Sequence, residues 1–305
     1  MEALTLFDIP AKPRAFLLSG GNSDLARDGI FTWTLPAWVV QRADGSWFNT
    51  CPEASVCAAM CFAYAPGSSY KRFPDVAASH LGNLQMVQEM PELWEQWMVE
   101  ELRDRRYRGG AAVRVHDSGD FFSTEYTKAW WRIAESAPHV RFYAYTKAVS
   151  RVKDVAARLG TPANLFYRFS RGGTEDYLIL PTDPQADVFA DLAALEEAGY
   201  VDQAASDLIA AGPDIRVGMV ANRMPVLRKR QGQLSFGELQ LLRYDKLMPK
   251  AYRWHLARLA VLLAANAWLL PLLDRTAGSW ETLIPFAAGP EESPIIPGKG
   301  VSTPT

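Results

Sequence analysis

Cysteine is scarce in this chain and confined to one place. Of 305 residues only three are cysteines, Cys51, Cys57 and Cys61, in the stretch Cys51-Pro52-Glu53-Ala54-Ser55-Val56-Cys57-Ala58-Ala59-Met60-Cys61. An odd count leaves one thiol unpaired, and a chain of this length buries enough surface to need no covalent staple, so a disulfide framework is excluded. Long apolar runs are missing as well. The most apolar stretch, Leu259 to Leu273, is shorter than the ~20 residues a bilayer span requires, and it carries Asn266 and Pro271. It is predicted as a buried helix. The opening MEALTLFDIPAKPR lacks a basic start followed by an apolar core, which predicts no signal peptide. Together these absences predict a cytoplasmic protein with reduced thiols and no membrane contact.

Basic residues are absent from 174–215, where ten acids occur, and acids are scarce from Arg223 to Arg258, where nine Lys or Arg face only Glu238 and Asp245. The net charge of −2 therefore hides two blocks of opposite sign. Such blocks pair across a fold or solvate two helix faces. The other reading makes Arg223–Arg258 a contact surface for a polyanion such as nucleic acid.

What is present reads as alternating strands and helices. Ile30–Val40 and Ser46–Phe48 are predicted as two short strands joined by a turn at Asp44-Gly45. Residues 73–107 carry apolar positions at helical spacing, split by Pro91. Strand-like runs at 111–116, 140–145, 165–169 and 215–220 alternate with helices after Ser123, over 150–159 up to Gly160, and over 184–211. Strands and helices alternating at this spacing imply βα units and a parallel sheet. Polar and glycine-rich residues follow each strand, where such sheets bind ligands. Residues 233–275 are predicted helical, and the tail from about 285 is rich in Pro and Gly.

Three thiols on one loop suit a soft metal or a cluster. A zinc site needs four ligands, so zinc would have to recruit His80, His116, His139 or His255. A four-iron cluster held by three cysteines leaves one iron open, the arrangement of radical S-adenosylmethionine enzymes, although their usual spacing is C-x3-C-x2-C and this chain has C-x5-C-x3-C. Three structural cysteines are the remaining reading.

Two further turns fit a cofactor. In His116-Asp117-Ser118-Gly119-Asp120, either Asp117 or Asp120 can pair with an ammonium, and Gly119 lets a backbone approach closely. The plainer reading is a helix-capping turn. In Arg168-Phe169-Ser170-Arg171-Gly172-Gly173, Ser170 can meet a ribose hydroxyl and Arg168 or Arg171 a carboxylate. Thr146-Lys147, ending the strand between them, can point into the same mouth, and the plainer reading is a surface lysine.

The stretches 50–65 (TCPEASVCAAMCFAYA), 113–148 and 164–173 (NLFYRFSRGG) resemble the gene product 88 family of phages and mobile elements, over about residues 30–225. That family is similar in turn to distant relatives of radical S-adenosylmethionine proteins. The resemblance implies a cluster-binding barrel and no established reaction. Phe62 stands where family members tend to have Tyr, and their extra C-terminal cysteines are missing here.

The sequence thus predicts an α/β protein whose parallel βα units form an open or partial barrel over 1–225. A helical extension over 226–284 and a Pro/Gly-rich tail over 285–305 follow it. Cys51, Cys57 and Cys61 are the expected ligands of a [4Fe-4S] cluster. Asp117, Ser118, Gly119, Asp120, Ser170 and Arg171 are the expected S-adenosylmethionine contacts, with a nucleotide, nucleic acid or protein as substrate. The rival is a non-catalytic, zinc-containing nucleic-acid-binding or structural protein, and a third reading is a metal-free enzyme using Asp120 and His116 as acid and base.

Overall fold

The computed structural model describes residues 12–42, 44–65, 68, 72–221 and 225–247. The chain divides into two units, 1–244 and 245–305. The expected helix at Leu259–Leu273, the Pro/Gly-rich tail and His255 lie outside the described residues.

In chain order, α1 (Ser23–Arg27) is capped by Asn22, whose side chain accepts the amides of Asp24 and Leu25. β1 (Ile30–Trp33) follows, then the hairpin β2 (Val39–Gln41) and β3 (Trp47–Asn49). The run 30–40 is therefore divided, and the single strand expected there is corrected. Its first four residues join the main sheet, the Leu35 amide donates to the Ser118 carbonyl, and Pro36, with no N–H to give a ladder, begins the exit. The cysteine loop contains the single turn α2 (Val56–Ala59) and a 3₁₀ turn at Phe62–Tyr64.

Helices α3 (Pro74–Glu89) and α4 (Pro91–Glu101) each carry proline in the first turn, where no amide partner is lost. β4 (Ala112–Val115) precedes α5 (Thr124–Ser136), whose N-cap Ser123 accepts the Tyr126 amide. β5 (Arg141–Thr146), α6 (Val149–Leu159) and β6 (Leu165–Ser170) come next, and Gly160 at φ +73 stops α6.

The helix expected over 184–211 is not formed. That segment holds β7 (Gln185–Phe189), the short α7 (Leu192–Glu197), β8 (Val201–Asp202) and a 3₁₀ turn at Asp207–Ala211. Sheet pairing overrides the helical composition here, because β7 is filled on both sides by β6 and by β9 (Arg216–Val220). Helices α8 (Pro225–Gln231) and α9 (Phe236–Leu247) end the described chain.

Seven strands form one open sheet in the order β1-β4-β5-β6-β7-β9-β8, every neighbouring pair parallel. The order follows the sequence from β1 to β7, so each crossover steps in the same direction. Alternation sorts the two faces. Val113, Val115, Phe142 and Ala144 pack with Leu84, Trp94, Met98, Trp130 and Val152, which places α3 to α6 on one face. Ala112 and Tyr143 turn the other way and pack with Leu25, Ile30, Ala210 and Ala211. With helices on one face and parallel strands throughout, the carboxyl ends of the strands share one rim, and the cysteine loop docks there.

Candidate functional site

The loop is held by its backbone. The amides of Ser55 and Cys57 both donate to the Gly172 carbonyl at 3.2 and 3.0 Å, Thr174 N–H donates to Glu53 O at 2.7 Å, and Ala54 bridges Gly173. Arg151 adds an ion pair to Glu53 at 2.7 Å and donates to the Phe121 carbonyl at 2.6 Å. These contacts explain the glycine pair after β6. Gly172 has φ +95, and a Cβ there would lie 3.1 Å from Phe236 Cβ. A Cβ on Gly173 would lie 3.0 Å from Lys147 Cβ and 3.1 Å from Glu53 O. Only glycine lets the cysteine loop lie this close to the strand ends.

Cys51, Cys57 and Cys61 all line one cavity of about 520 Å³, within the ~300–1,000 Å³ range of small-molecule sites. The same cavity is lined by Arg114, His116, Asp117, Ser118, Gly119 and Asp120 at the end of β4. Tyr145 and Lys147 line it from β5, Ser170 from β6, and Met219 and Ala221 from β9. Leu227, Gln231 and Phe236 of α8 and α9 close an apolar side. All three thiols are half-buried and none is in a disulfide.

Burial pushes the Cys51 thiol far above the ordinary thiol range, and the Asp120 carboxylate adds to the rise. Burial also raises Cys61, with Cys57 adding to it, while the Ala63 and Tyr64 amides and the Lys147 ammonium act in the opposite sense. Both shifts favour the thiol over the thiolate, so metal uptake would release protons. Among the described residues, no group of three or more His, Cys, Asp or Glu side chains is gathered closely enough to hold a metal ion. The thiols thus share a cavity without standing at single-ion spacing. A four-iron cluster binds each thiolate to a different iron, which is the looser demand of the two, and the all-sulfur donor set fits it.

The residues expected to hold a cofactor divide into distinct roles. Asp117 lines the cavity with a partly exposed carboxylate, and its ion pair to Arg114 is long, at 3.5 Å. It has capacity for a ligand. Asp120 is saturated. Its oxygens accept the Phe121 amide at 2.7 Å, the Thr146 hydroxyl at 2.6 Å and the Lys147 amide at 2.8 Å, so it ties the end of β4 to the end of β5. Burial raises its pKa and these three donors oppose the rise.

Ser118 donates to the Leu35 carbonyl at 2.6 Å. Gly119 has φ +85, and a Cβ there would meet Leu35 Cβ at 2.6 Å, so packing against the exit of β1 is what requires the glycine. Ser170 faces the cavity and accepts from Lys147 Nζ at 2.9 Å.

Arg171 is not among the cavity-lining residues. Its guanidinium donates to Gln185 Oε1 at 2.8 and 3.2 Å, because it points to the opposite side of the chain from its neighbour Ser170. Arg168 is buried and donates to the carbonyls of Ala210 and Gly212, pinning the 209–215 segment. Neither arginine serves as the expected carboxylate contact.

His116 is 3% exposed, adopts φ +71, and is held neutral because burial pushes its pKa down to about 3. Trp33 Nε1 donates to the Tyr126 hydroxyl at 2.9 Å, and that hydroxyl lies 2.9 Å from His116 Nε2. The Tyr126 hydroxyl thus bridges the Trp33 and His116 rings, and His116 Nδ1 is buried with no hydrogen-bond partner. A histidine this hard to protonate beside a saturated Asp120 does not make an acid–base pair. His139 and His80 are not among the cavity-lining residues.

Sequence reasoning missed Arg114 and Tyr145, and for Lys147 it favoured the surface over the cavity mouth. Lys147 is buried rather than a surface residue, its ammonium donating to Ser170 O at 3.2 Å, Ser170 Oγ at 2.9 Å and Arg171 O at 3.1 Å. Arg114 is paired with Asp207 at 3.1 Å and with Asp117. A charged residue inside so short an apolar run, Ala112-Val113-Arg114-Val115, was the available signal, since strands of a parallel sheet are usually apolar on both faces.

Part of the acidic block is used internally. Asp176 accepts the Gly172 and Gly173 amides, Asp183 pairs with Lys153, Asp187 accepts the Gly237 amide, and Asp191 caps α7. In the basic block Arg228 and Lys229 are exposed on α8, and Arg230 donates to the Ala59 carbonyl at 3.1 Å. Arg223, Lys250, Arg253 and Arg258 lie outside the described residues. No helix among the described residues is long and apolar enough to cross a membrane.

Two curated proteins are similar to part of the chain. The Gene 88 protein of Mycobacterium phage L5 is 31% identical over 105 residues, and that of Mycobacterium phage D29 is 30% identical over 105 residues. Each match covers 32% of this chain, and 43% and 42% of the respective relatives. No solved structure matches. Residues 16–268 match the family described as gene product 88, and the chain belongs to that family.

Proposed function

We propose that this chain is an iron–sulfur protein in which Cys51, Cys57 and Cys61 hold a four-iron cluster, with S-adenosylmethionine as the cofactor beside it. The observation that carries this reading is the position of all three thiols on one cavity at the carboxyl ends of the parallel strands. Sequential strand order from β1 to β7 and a helical cover on one face are also the winding of a partial (βα) barrel, which supports a radical S-adenosylmethionine-like fold. When bound, such a cluster would offer S-adenosylmethionine an open iron and the electron for reductive cleavage of its sulfonium, which leads to hydrogen abstraction from a substrate.

The chain's own residues would orient and enclose the cofactor. Asp117 has the carboxylate available for an ammonium, and Ser170 presents a hydroxyl on the same wall. Met219, Ala221, Leu227 and Phe236 supply an apolar flank that excludes water from a planar group. Asp120 holds β4 and β5 together beneath the ligand. The exposed Arg228 and Lys229 stand on the same helix as the cavity-lining Leu227 and Gln231, which favours a phosphate-bearing substrate such as a nucleotide or nucleic acid.

The zinc reading is the weaker one. His116 is the only histidine of the described residues on the cavity, its Nε2 is taken by Tyr126, and the thiols are not gathered at single-ion spacing. The test is anaerobic reconstitution with iron and sulfide, followed by incubation with S-adenosylmethionine and dithionite. Release of 5′-deoxyadenosine is expected. A stable reduced cluster that leaves the sulfonium intact would restrict the protein to electron transfer or a structural role.

A further inference from the structure

Lys147 is a buried cation on the wall that faces the thiols, and among the described residues no carboxylate stands at ion-pair distance from it. Its ammonium is solvated by three neutral oxygens, from Ser170 and Arg171. The two nearby carboxylates, Asp120 and Asp176, act on it through space and take their hydrogen bonds elsewhere. Asp120 accepts the Thr146 hydroxyl and the Phe121 and Lys147 amides, and Asp176 accepts the amides of Gly172 and Gly173. The two carboxylates offset part of the ammonium's charge through space, and an anion in the cavity would complete the compensation.

The position of Lys147 is also over-determined. Its backbone amide is fixed by Asp120, its side-chain stem packs where a Cβ on Gly173 would fall, and its head is held by the turn that carries the cysteine loop. The same turn accepts the Cys57 amide through Gly172. Lysine and thiols are therefore referred to one short piece of backbone, and the distance between them is set by the fold rather than by a flexible side chain.

We infer that Lys147 is the built-in counter-charge of the three-thiol site, a positioning residue that stabilises the negative charge of a thiolate-bound cluster and sets its reduction potential. The inference rests on the iron–sulfur reading. Three thiolates on an iron–sulfur core give an anionic group, and reduction adds one more negative charge. A fixed cation beside it favours the reduced form, so its removal shifts the potential to more negative values. Asp120 and Asp176 offset this charge only through space, since neither is paired with the ammonium, and the apolar wall of Val188, Met60 and Phe236 limits screening by water.

The experiment compares parent, Lys147→Met and Lys147→Arg chains, each reconstituted anaerobically, by iron content and by redox titration with dithionite followed in the visible. Lys147→Met is expected to keep the parent's iron content and absorption while its midpoint moves negative, and Lys147→Arg to return the midpoint towards the parent. Failure of Lys147→Met to load iron while Lys147→Arg loads also supports a charge role. A loaded Lys147→Met with the parent's midpoint overturns the inference and leaves the iron–sulfur reading intact. So does equal loss of iron in both variants, which would assign Lys147 to packing. A parent chain that takes up no cluster overturns the iron–sulfur reading itself, and this inference with it.

Discussion

The carbonyl of Gly172 accepts the amide of Cys57 at 3.0 Å, so the turn after β6 holds the central cysteine through its backbone. Gly172→Ala places a side chain at φ +95 and 3.1 Å from Phe236 Cβ. A loss of about 1–3 kcal/mol is expected from the backbone strain, read as a lower urea midpoint, with weaker iron uptake beside it. Unchanged stability and uptake would show that the loop does not depend on this contact.

Asp117 and Asp120 occupy one turn and separate cleanly. Asp120→Asn leaves donors at Thr146, Phe121 or Lys147 without a full acceptor and should destabilise the chain by about 1–3 kcal/mol. Asp117→Asn should leave unfolding nearly unchanged and weaken S-adenosylmethionine binding to the reconstituted protein roughly tenfold, as measured by calorimetry. The reverse pattern would exchange the roles assigned to them.

These two residues also mark what the sequence made legible. Proline in the first turns of α3 and α4, Ser123 capping α5 and Gly160 ending α6 are local signals, and each stands where local chemistry placed it. The three cysteines and the turn 117–120 share a cavity because parallel strands end on one rim, which follows from the alternation of elements. β7 was not legible, since Gln185-Ala186-Asp187-Val188-Phe189 becomes a strand through its neighbours on both sides rather than by its composition. Nor was Arg171, whose direction depends on the register of β6 beyond its last residue. Which of Asp117 and Asp120 is free was equally hidden, because it depends on Thr146 and Lys147 of another strand.

Acid should destabilise the protein through His116. Its folded-state pKa, pushed down to about 3, lies below the ~6.5 of an unfolded histidine, so the unfolded chain binds the proton first. This contribution is complete above pH 6.5 and is lost as pH falls towards 3, at up to about 1.4 kcal/mol per pH unit. His116→Asn keeps a side chain that tolerates positive φ and should flatten the slope of stability between pH 6.5 and 5. An unaltered slope would place the acid sensitivity elsewhere.

Arg228 and Lys229 are exposed on α8. If they meet a polyanion, Arg228→Glu with Lys229→Glu should abolish retention on single-stranded DNA at low salt without lowering the thermal midpoint. The parent's retention should fall steeply with ionic strength. Retention that ignores both salt and these substitutions would remove the phosphate-bearing substrate from the account.

The most direct test of the three-thiol site is the iron and sulfide content of anaerobically reconstituted protein, compared with its Cys51→Ala, Cys57→Ala and Cys61→Ala variants. About four irons and four sulfides per chain, with brown colour lost in each variant, are the expected result. A colourless parent carrying one zinc, or a parent whose iron content is indifferent to all three substitutions, would contradict it.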